Sequence, residues 1–208
     1  MKTSEHPFFT IKTGTGNSYG GDQGWLSKKF LKSYGCGIIG AADVILCIQG
    51  KKEISKSEYQ KFAHHLWKRY LPVLPGFGIN GIFLKMGMNR YFRKHKIPHR
   101  ASWKISGKKL FSRIDEMLAK NLPVILSIGP NFPLIWGKQS VKFYVQKENG
   151  SYMAVSKARA HYVTVTGKNA EWIEISSWGS KYYINQQEYK EYVRRYSSFL
   201  VSNIICIQ

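Results

Sequence analysis

The hydrophobic positions of the chain change their spacing near its middle. After a short predicted strand over residues 8–13, apolar residues recur at helical spacing, and beyond about residue 121 they form short alternating or continuous apolar runs. Helices followed by strands, with no repeat and no linker-like stretch, predict a single α+β domain over residues 1–208. We expect a helical subdomain at about 30–121 and an antiparallel sheet or half-barrel at about 122–208.

Four helices are predicted in the first half. The segment CGIIGAADVILCIQ, residues 36–49, is apolar on almost every side, which is typical of a central, buried helix. Ser55 and Glu58 form a capping-box signature that opens a second helix, ending near Tyr70. The other two helices are expected over 80–96 and 108–121.

The second half of the sequence is dominated by predicted strands. A short helix is expected at 186–195, between the last two of them. The strands are predicted over residues 123–129, 141–146, 152–156, 161–167, 171–176, 181–184 and 199–207.

Composition narrows the class of protein. With 208 residues and 43% hydrophobic residues, the chain can bury its own core, which excludes a disordered tail. Cys36, Cys47 and Cys206 are odd in number and widely spaced, so neither a disulfide framework nor a zinc site is expected. Neither a signal-like apolar stretch nor a membrane-spanning run is visible. We therefore expect a soluble cytoplasmic protein with reduced cysteines, although a chain trimmed of its signal would look the same.

The charge of the chain predicts an anionic partner. The 32 lysines and arginines and 12 acidic residues give a net charge of +20. No acidic residue lies between Tyr59 and Ile114, where thirteen lysines and arginines occur, most densely over 85–109. Nucleic acid or another acidic polymer or surface would fit this span. The aromatic residues within it are interpreted either as stacking platforms for bases or as core: Tyr91, Phe92 and Trp103.

Two residues suggest thiol chemistry. Cys36 begins the predicted central helix between two glycines, where unpaired N–H groups and the helix dipole lower a thiol pKa. The other interpretation of Cys36 is a small buried residue. His161 opens a predicted strand, and a histidine at a strand end can project into a cleft. Ser176 ends the next strand, within reach of that histidine if the two strands pair.

The order of a cysteine on a helix, a histidine on a strand and then Ser176-Ser177-Trp178-Gly179 resembles the papain-like cysteine peptidase superfamily, which has Asn-Ser-Trp-Gly at the last site. Three stretches are similar to its bacterial branch, which includes the peptidases that cleave double-glycine leader peptides and their stand-alone relatives: YGCGIIGAADVIL (34–46), NLPVILSIG (121–129) and HYVTVTG (161–167). The resemblance covers roughly residues 20–195. It implies a papain-like fold. It also implies an enzyme that hydrolyses a peptide or other amide bond without a cofactor or metal.

The resemblance also implies a role for each site residue. Cys36 would be the nucleophile, His161 its base, and Trp178 the cover over the hydrogen bond that orients the imidazole. Ser176 stands where the family has Asn or Asp, and it is shorter and uncharged. Glu174, two residues earlier on the same strand face, is the alternative third member.

The expected oxyanion donor is displaced in this sequence. The family places a glutamine about six residues before the cysteine, whereas the best candidate here, Gln23, lies thirteen residues before it. An insertion between Gln23 and Cys36 would reconcile the spacing, and Asn17 is an alternative. The Cys36 backbone N–H would be the other donor.

Three hypotheses follow for function. The first is a cysteine hydrolase or an acyltransferase that uses the same acyl-enzyme, with a peptide or amide substrate that is acidic if the basic span contributes to binding. The second is a module that binds an anionic polymer through residues 85–109. The third is a pseudoenzyme with the papain-like fold and little turnover, suggested by Ser176 and the displaced glutamine.

Overall fold

The protein is described by a computed structural model that covers residues 8–129 and 139–208. It contains six α-helices in these ranges, and each of the four predicted in the first half is present with slightly different ends. The helices are α1 (Lys29–Tyr34), α2 (Cys36–Ile48), α3 (Lys56–Arg69), α4 (Gly81–Lys94), α5 (Leu110–Leu118) and α6 (Gln186–Tyr196).

The strands form two sheets, and the larger one is antiparallel with eight strands in the order β4-β11-β5-β8-β9-β10-β6-β7. The smaller sheet has the order β2-β1-β3. The strands are β1 (Thr10–Thr13), β2 (Gly16–Tyr19), β3 (Glu53–Ser55), β4 (Ala101–Lys104), β5 (Val124–Ile128), β6 (Val141–Gln146), β7 (Tyr152–Ala158), β8 (His161–Lys168), β9 (Trp172–Ser177), β10 (Ser180–Asn185) and β11 (Ile204–Ile207).

Local sequence signals explain where the helices begin. The capping box is formed as predicted: Ser55 accepts from the Glu58 backbone N–H, and Glu58 accepts from the Ser55 N–H. Asn80 caps α4, and Asn185 caps α6 through two backbone N–H groups. These side chains satisfy amide groups that the first helical turn leaves unpaired.

The centre of the large sheet is covered on both faces. Alternation along β5 sends Ile125 into one apolar cluster, with residues of α2, α3 and α4, and sends Val124, Leu126 and Ile128 into another, with residues of α5 and α6. On the first face, Gly40 brings α2 close to the sheet, since an added Cβ there would press on Ile125. The central helix therefore lies directly against β5 and β8, where it presents Cys36 to the start of β8.

Of the α-helices and strands in the first half, four were not predicted; one is β3, which pairs in parallel with β1. Helix α1 precedes α2 and ends at Tyr34; it has only six residues, and no side chain caps its start. Strand β2 lies directly after the predicted strand over residues 8–13, where no element was predicted, and it pairs with β1 in a tight hairpin. Strand β4 comes from the helical half but joins the large sheet by pairing with β11.

The end of the chain also differs from the prediction. A strand was expected over 199–207, but only Ile204–Ile207 is extended, and the Val201 N–H bonds back to the Ser198 carbonyl in a turn. Strand β11 then inserts between β4 and β5, so that residues far apart in the chain become neighbours in the sheet. Within the described ranges, no helix combines the length and apolar character needed to cross a bilayer.

Candidate active site

Cys36 is the first residue of α2, as the sequence predicts, and the residue as a whole is partly buried. The backbone N–H groups of Cys36, Gly37 and Tyr162 act on the sulfur and favour its thiolate form. Burial nevertheless dominates and raises the pKa of the Cys36 thiol above its ordinary value. The expectation of a lowered pKa is therefore wrong: the amide groups of the helix end only partly offset the loss of solvent.

His161 is the first residue of β8 and is buried, with 9% of its surface exposed. Its Nε2 lies 2.9 Å from the Ser177 Oγ in a hydrogen bond. The Trp178 indole stacks on the imidazole with ring centroids 4.9 Å apart and planes 24° apart. Burial lowers the pKa of His161 from 6.5 to about 4, so the neutral ring predominates at neutral pH.

A tight turn places Trp178 over the histidine. Ser177 pairs with Ser180 across the β9–β10 hairpin, which leaves Trp178 and Gly179 as its two loop residues. Both have positive φ, 49° and 73°, as a two-residue type I′ turn requires. Such a conformation is rare for a bulky residue such as tryptophan, and it is found here beside the candidate site.

The predicted contact between Ser176 and His161 is wrong, because Ser177 makes it. Successive strand residues point to opposite faces, so Ser176 and Ser177 cannot both reach the histidine. The Ser176 hydroxyl donates to the Tyr19 carbonyl at 2.8 Å and lies 3.5 Å from the Asp43 Oδ2. Aligning the Ser-Trp-Gly motif identified the right turn but assigned the orienting contact one residue too early.

The alternative third member, Glu174, also has other partners. Its carboxylate accepts from the Tyr19 and Thr166 hydroxyls at 2.7 and 2.9 Å and pairs with Lys181 at 3.1 Å. Glu174 pairs with Gly167 of β8. Gly167 is six residues from His161 along that strand, and at the usual rise per strand residue the two are about 20 Å apart. The suggestion that Glu174 orients the histidine is therefore wrong.

Gln23 lies in the same cleft as Cys36 and His161. It begins a short 3-10 helix, and its Nε2 donates to the Lys32 carbonyl at 2.7 Å. Its Oε1 is buried without a hydrogen-bond partner among the described residues. Helix α1 occupies the chain between Gln23 and Cys36, which accounts for the long spacing. The alternative donor, Asn17, is exposed on β2 and does not line the cleft.

The cleft between the candidate residues is narrow. It holds only about 10 Å³, roughly the space for one water molecule. A larger groove of about 530 Å³ adjoins it and is lined by His161 and Tyr162 together with Phe77, Trp103 and Leu200. His161 and Tyr162 line both spaces, so the larger groove leads to the imidazole.

Sequence analysis missed a buried acid behind the cleft. Asp43 lies seven residues after Cys36, two helical turns along the same face of α2, and is inaccessible to solvent. Its carboxyl accepts from the Tyr59 hydroxyl at 2.7 Å, the Gly21 N–H at 3.1 Å and the Thr164 hydroxyl at 3.3 Å. Burial raises the pKa of Asp43 to about 7. The signal available in the sequence was a single charged residue within an otherwise apolar helix.

Asp43 connects the elements that carry the site. Gly21 lies two residues before Gln23, and Ser176, at the edge of hydrogen-bond distance from Asp43, lies next to Ser177. One carboxyl thus contacts both the loop that carries Gln23 and the strand that carries the partner of the histidine.

Comparison with known protein families and with curated proteins finds no match. Among solved structures, a Bacillus anthracis protein described as a C39-like peptidase is similar to this chain, with 14% sequence identity and a TM-score of 0.48. The similarity covers 84% of this chain and 88% of that protein. This degree of likeness does not establish a shared fold, and the function is inferred from the side chains of this chain.

Proposed function

We propose that the protein is a papain-like thiol hydrolase that cleaves a peptide or other amide bond. One observation carries this proposal: Cys36 and His161 line a single cleft, and Ser177 and Trp178 hold the imidazole from two sides. A nucleophile, a base and a group that orients the base are the elements that acyl transfer by a thiol requires. The antiparallel α+β architecture fits the papain-like arrangement suggested by the sequence.

In the first step, His161 accepts the thiol proton and Cys36 attacks the substrate carbonyl. Because Nε2 is engaged with Ser177, Nδ1 is the ring nitrogen left for the thiol. We assign the neutral tautomer with the proton on Nε2, which donates to the Ser177 hydroxyl and leaves a lone pair on Nδ1. Trp178 excludes water from this hydrogen bond and limits rotation of the ring.

The negative charge that develops on the carbonyl oxygen needs donors close to Cys36. The backbone N–H of Cys36 lies in the first turn of α2 and has no partner within the helix. The second N–H of the Gln23 side-chain amide is the other candidate, since the first is bonded to the Lys32 carbonyl. Each such donor is typically worth about 10²–10³ in rate.

Collapse of the tetrahedral intermediate breaks the C–N bond, and His161 returns its proton to the leaving amine. The product is a thioester on Cys36. Water, deprotonated by His161, then attacks the thioester, releases the acid and restores the thiol. If an amine or alcohol replaces water in this step, the same groups perform acyl transfer.

Both groups are most stable in their neutral forms in the unliganded site. Burial raises the pKa of the Cys36 thiol and lowers that of His161 to about 4. Proton transfer therefore accompanies attack on bound substrate and does not precede it. Because the base works only when unprotonated, the acid limb of kcat/KM is expected near pH 4, well below the 6.5 of an ordinary histidine.

Selective alkylation tests whether Cys36 is activated. Iodoacetamide labelling at pH 6, read by mass spectrometry of tryptic peptides, should modify Cys36 at least about tenfold faster than Cys47 or Cys206, because the unprotonated His161 accepts the thiol proton as the sulfur attacks the reagent. The variant His161→Gln should remove this preference, because the base is lost. Equal labelling of the three cysteines would overturn the proposal.

Turnover is tested with a library of peptide amides. The native protein should release amine, and Cys36→Ser should reduce the rate by about 10³-fold or more, whereas Cys47→Ala should leave it unchanged. A covalent acyl-enzyme on Cys36 that is detected by its mass and is not hydrolysed would favour the pseudoenzyme. The pseudoenzyme is the second candidate function. It is favoured by Ser177, whose side chain is shorter than the Asn or Asp of the papain-like pattern and, unlike Asp, carries no charge.

A further inference from the structure

The exposed face of α4 and the turn before it carry an apolar patch that the proposed function does not use. Phe77 is 90% exposed, and four more large apolar side chains are more than half exposed: Leu74, Ile82, Phe83 and Met86. The Leu74–Gly78 bridge closes the turn that presents Phe77. Clustered exposed apolar side chains on a folded domain mark an interaction surface.

Cations extend the same face of α4. At 100° per residue, six of its exposed residues fall within an arc of about 120°. The three in the first half of the helix are apolar, and the three in the second half are basic. They are, in chain order, Ile82, Phe83, Met86, Arg90, Arg93 and Lys94. The helix thus presents an apolar end and a cationic end on one side, and only about 6 Å of helix axis separates Met86 from Arg90.

These positive charges have no acidic counterpart nearby in the sequence. Residues 60–113 contain no aspartate or glutamate, and the ion pairs among the described residues do not include Arg90, Arg93 or Lys94. Lys96 and Arg100 follow the helix and are exposed as well. The surface is therefore complementary to a partner that is itself anionic.

Nucleic acid fits this surface less well than a lipid bilayer does. The aromatic residues that alternate with the cations in the sequence are not available for base stacking: Tyr91 and Phe92 are buried in the core, and Trp103 packs against Gly81. The exposed aromatic residues, Phe77 and Phe83, belong to the apolar patch. The exposed apolar residues include Leu74, Ile82 and Met86, whose burial a phosphate backbone does not reward. A bilayer interface offers anionic phosphates beside an apolar layer, and it can accept both ends of the face at once.

We propose that this surface, defined as Leu74, Phe77 and the exposed side of α4, docks on an anionic lipid bilayer. The apolar side chains enter the headgroup region while Arg90, Arg93 and Lys94 contact lipid phosphates. Phe77 and Ile82 also line the groove that ends at His161, so docking places the mouth of this groove against the membrane. The lipid interaction itself does not depend on catalysis.

The test uses the full chain and sedimentation with sucrose-loaded vesicles. The native protein should bind vesicles of phosphatidylcholine with 30% phosphatidylglycerol and should not bind phosphatidylcholine alone. Affinity should fall between 50 and 200 mM salt. Each exposed cation near an anionic surface contributes about fivefold in affinity, so Arg90→Gln/Arg93→Gln/Lys94→Gln should weaken binding about 100-fold.

A matched control separates this face from the general charge of +20. Lys120→Gln/Lys147→Gln/Lys157→Gln removes three exposed cations elsewhere and should weaken binding by less than fivefold. Phe77→Ser/Ile82→Ser, which changes only exposed residues, should weaken binding at least tenfold without altering the circular dichroism spectrum. The proposal is overturned if the control triple variant loses as much affinity for the vesicles as the triple variant of α4. Full vesicle binding by Phe77→Ser/Ile82→Ser would also overturn it. So would tighter binding to single-stranded RNA than to the vesicles, if Phe77→Ser/Ile82→Ser still bound the RNA.

Discussion

Replacing Asp43 by asparagine should change how the stability of the protein depends on pH. The carboxyl is fully buried, and its pKa is raised from 3.8 to about 7. An asparagine fits the same partners, since its Oδ1 can accept from the Gly21 N–H and the Tyr59 hydroxyl as the acid does. Its NH₂ group can donate to the hydroxyls of Thr164 and Ser176.

The size of the change in stability follows from the difference between the pKa of Asp43 in the folded protein and that in the unfolded chain. A difference of about 3 pKa units, at about 1.4 kcal/mol each, amounts to about 4 kcal/mol. The folded protein keeps the proton of Asp43 at pH values where the unfolded chain has lost it. The stability that Asp43 contributes is therefore full below pH 4, decreases as the pH rises from about 4 to 7, and is constant above that.

His161 acts in the opposite direction. Its pKa falls from 6.5 to about 4 on folding, so its contribution is full above pH 6.5 and is lost as the pH falls toward 4, by about 3 kcal/mol. The two contributions nearly cancel between pH 4 and 6.5 in the native protein. In Asp43→Asn only the histidine contribution remains, and stability should rise with pH across this window.

Urea denaturation followed by tryptophan fluorescence at pH 4, 5, 6, 7 and 8 measures this change. The free energy of unfolding of Asp43→Asn minus that of the native protein should increase by about 4 kcal/mol between pH 4 and pH 8. Asp115→Asn alters an ion-paired carboxyl that is mostly exposed, and its difference should stay within about 1 kcal/mol throughout. The reasoning is refuted if the Asp43→Asn difference is the same at both ends of the range.

Three further substitutions test the site. Trp178→Ala should uncover the imidazole and raise the pKa of His161 from about 4 toward 6.5, measured by NMR titration of its ring protons; a pKa that stays near 4 would show that the indole is not the cover. Ser177→Ala should reduce kcat/KM by about 2–10-fold through loss of one hydrogen bond, and an unchanged value would remove Ser177 from the mechanism. Gly21→Ala should destabilise the protein by about 1–3 kcal/mol in thermal unfolding, because the added Cβ would overlap the Tyr59 hydroxyl, which donates to Asp43. Gly14 has open space around it, so the control Gly14→Ala should change stability by under about 0.5 kcal/mol.

The sequence predicts those helices and strands whose formation depends on residues close to them in the chain. The apolar segment from Cys36 onward forms a buried helix, and the Ser55–Glu58 capping box starts the next one. Both signals are local, because helical periodicity and caps are read over a few residues. Helix α1 has neither a cap nor enough length for a clear period, and β4 is a strand only because β11 pairs with it.

The candidate site could be located from the sequence but not assembled from it. Cys36, His161 and Trp178 are recognised by type and order, whereas the choice between Ser176 and Ser177 depends on strand register. A shift by one residue reverses the face of every side chain, and nothing local in Ser-Ser-Trp-Gly determines it. The role of Asp43 is equally hidden, because its four partners lie on separate segments of the chain.

The interior position of β11 has a consequence for synthesis. Strand β4 meets its sheet neighbour only through Ile204–Ile207, about a hundred residues further along the chain. At translation rates of roughly 5–20 residues per second, a nascent chain carries β4 unpaired for about 5–20 s after it is made. During that interval the β4 backbone lacks its strand partner on the ribosome, so we expect chaperones that bind extended segments to engage β4 before the strand-rich half is complete.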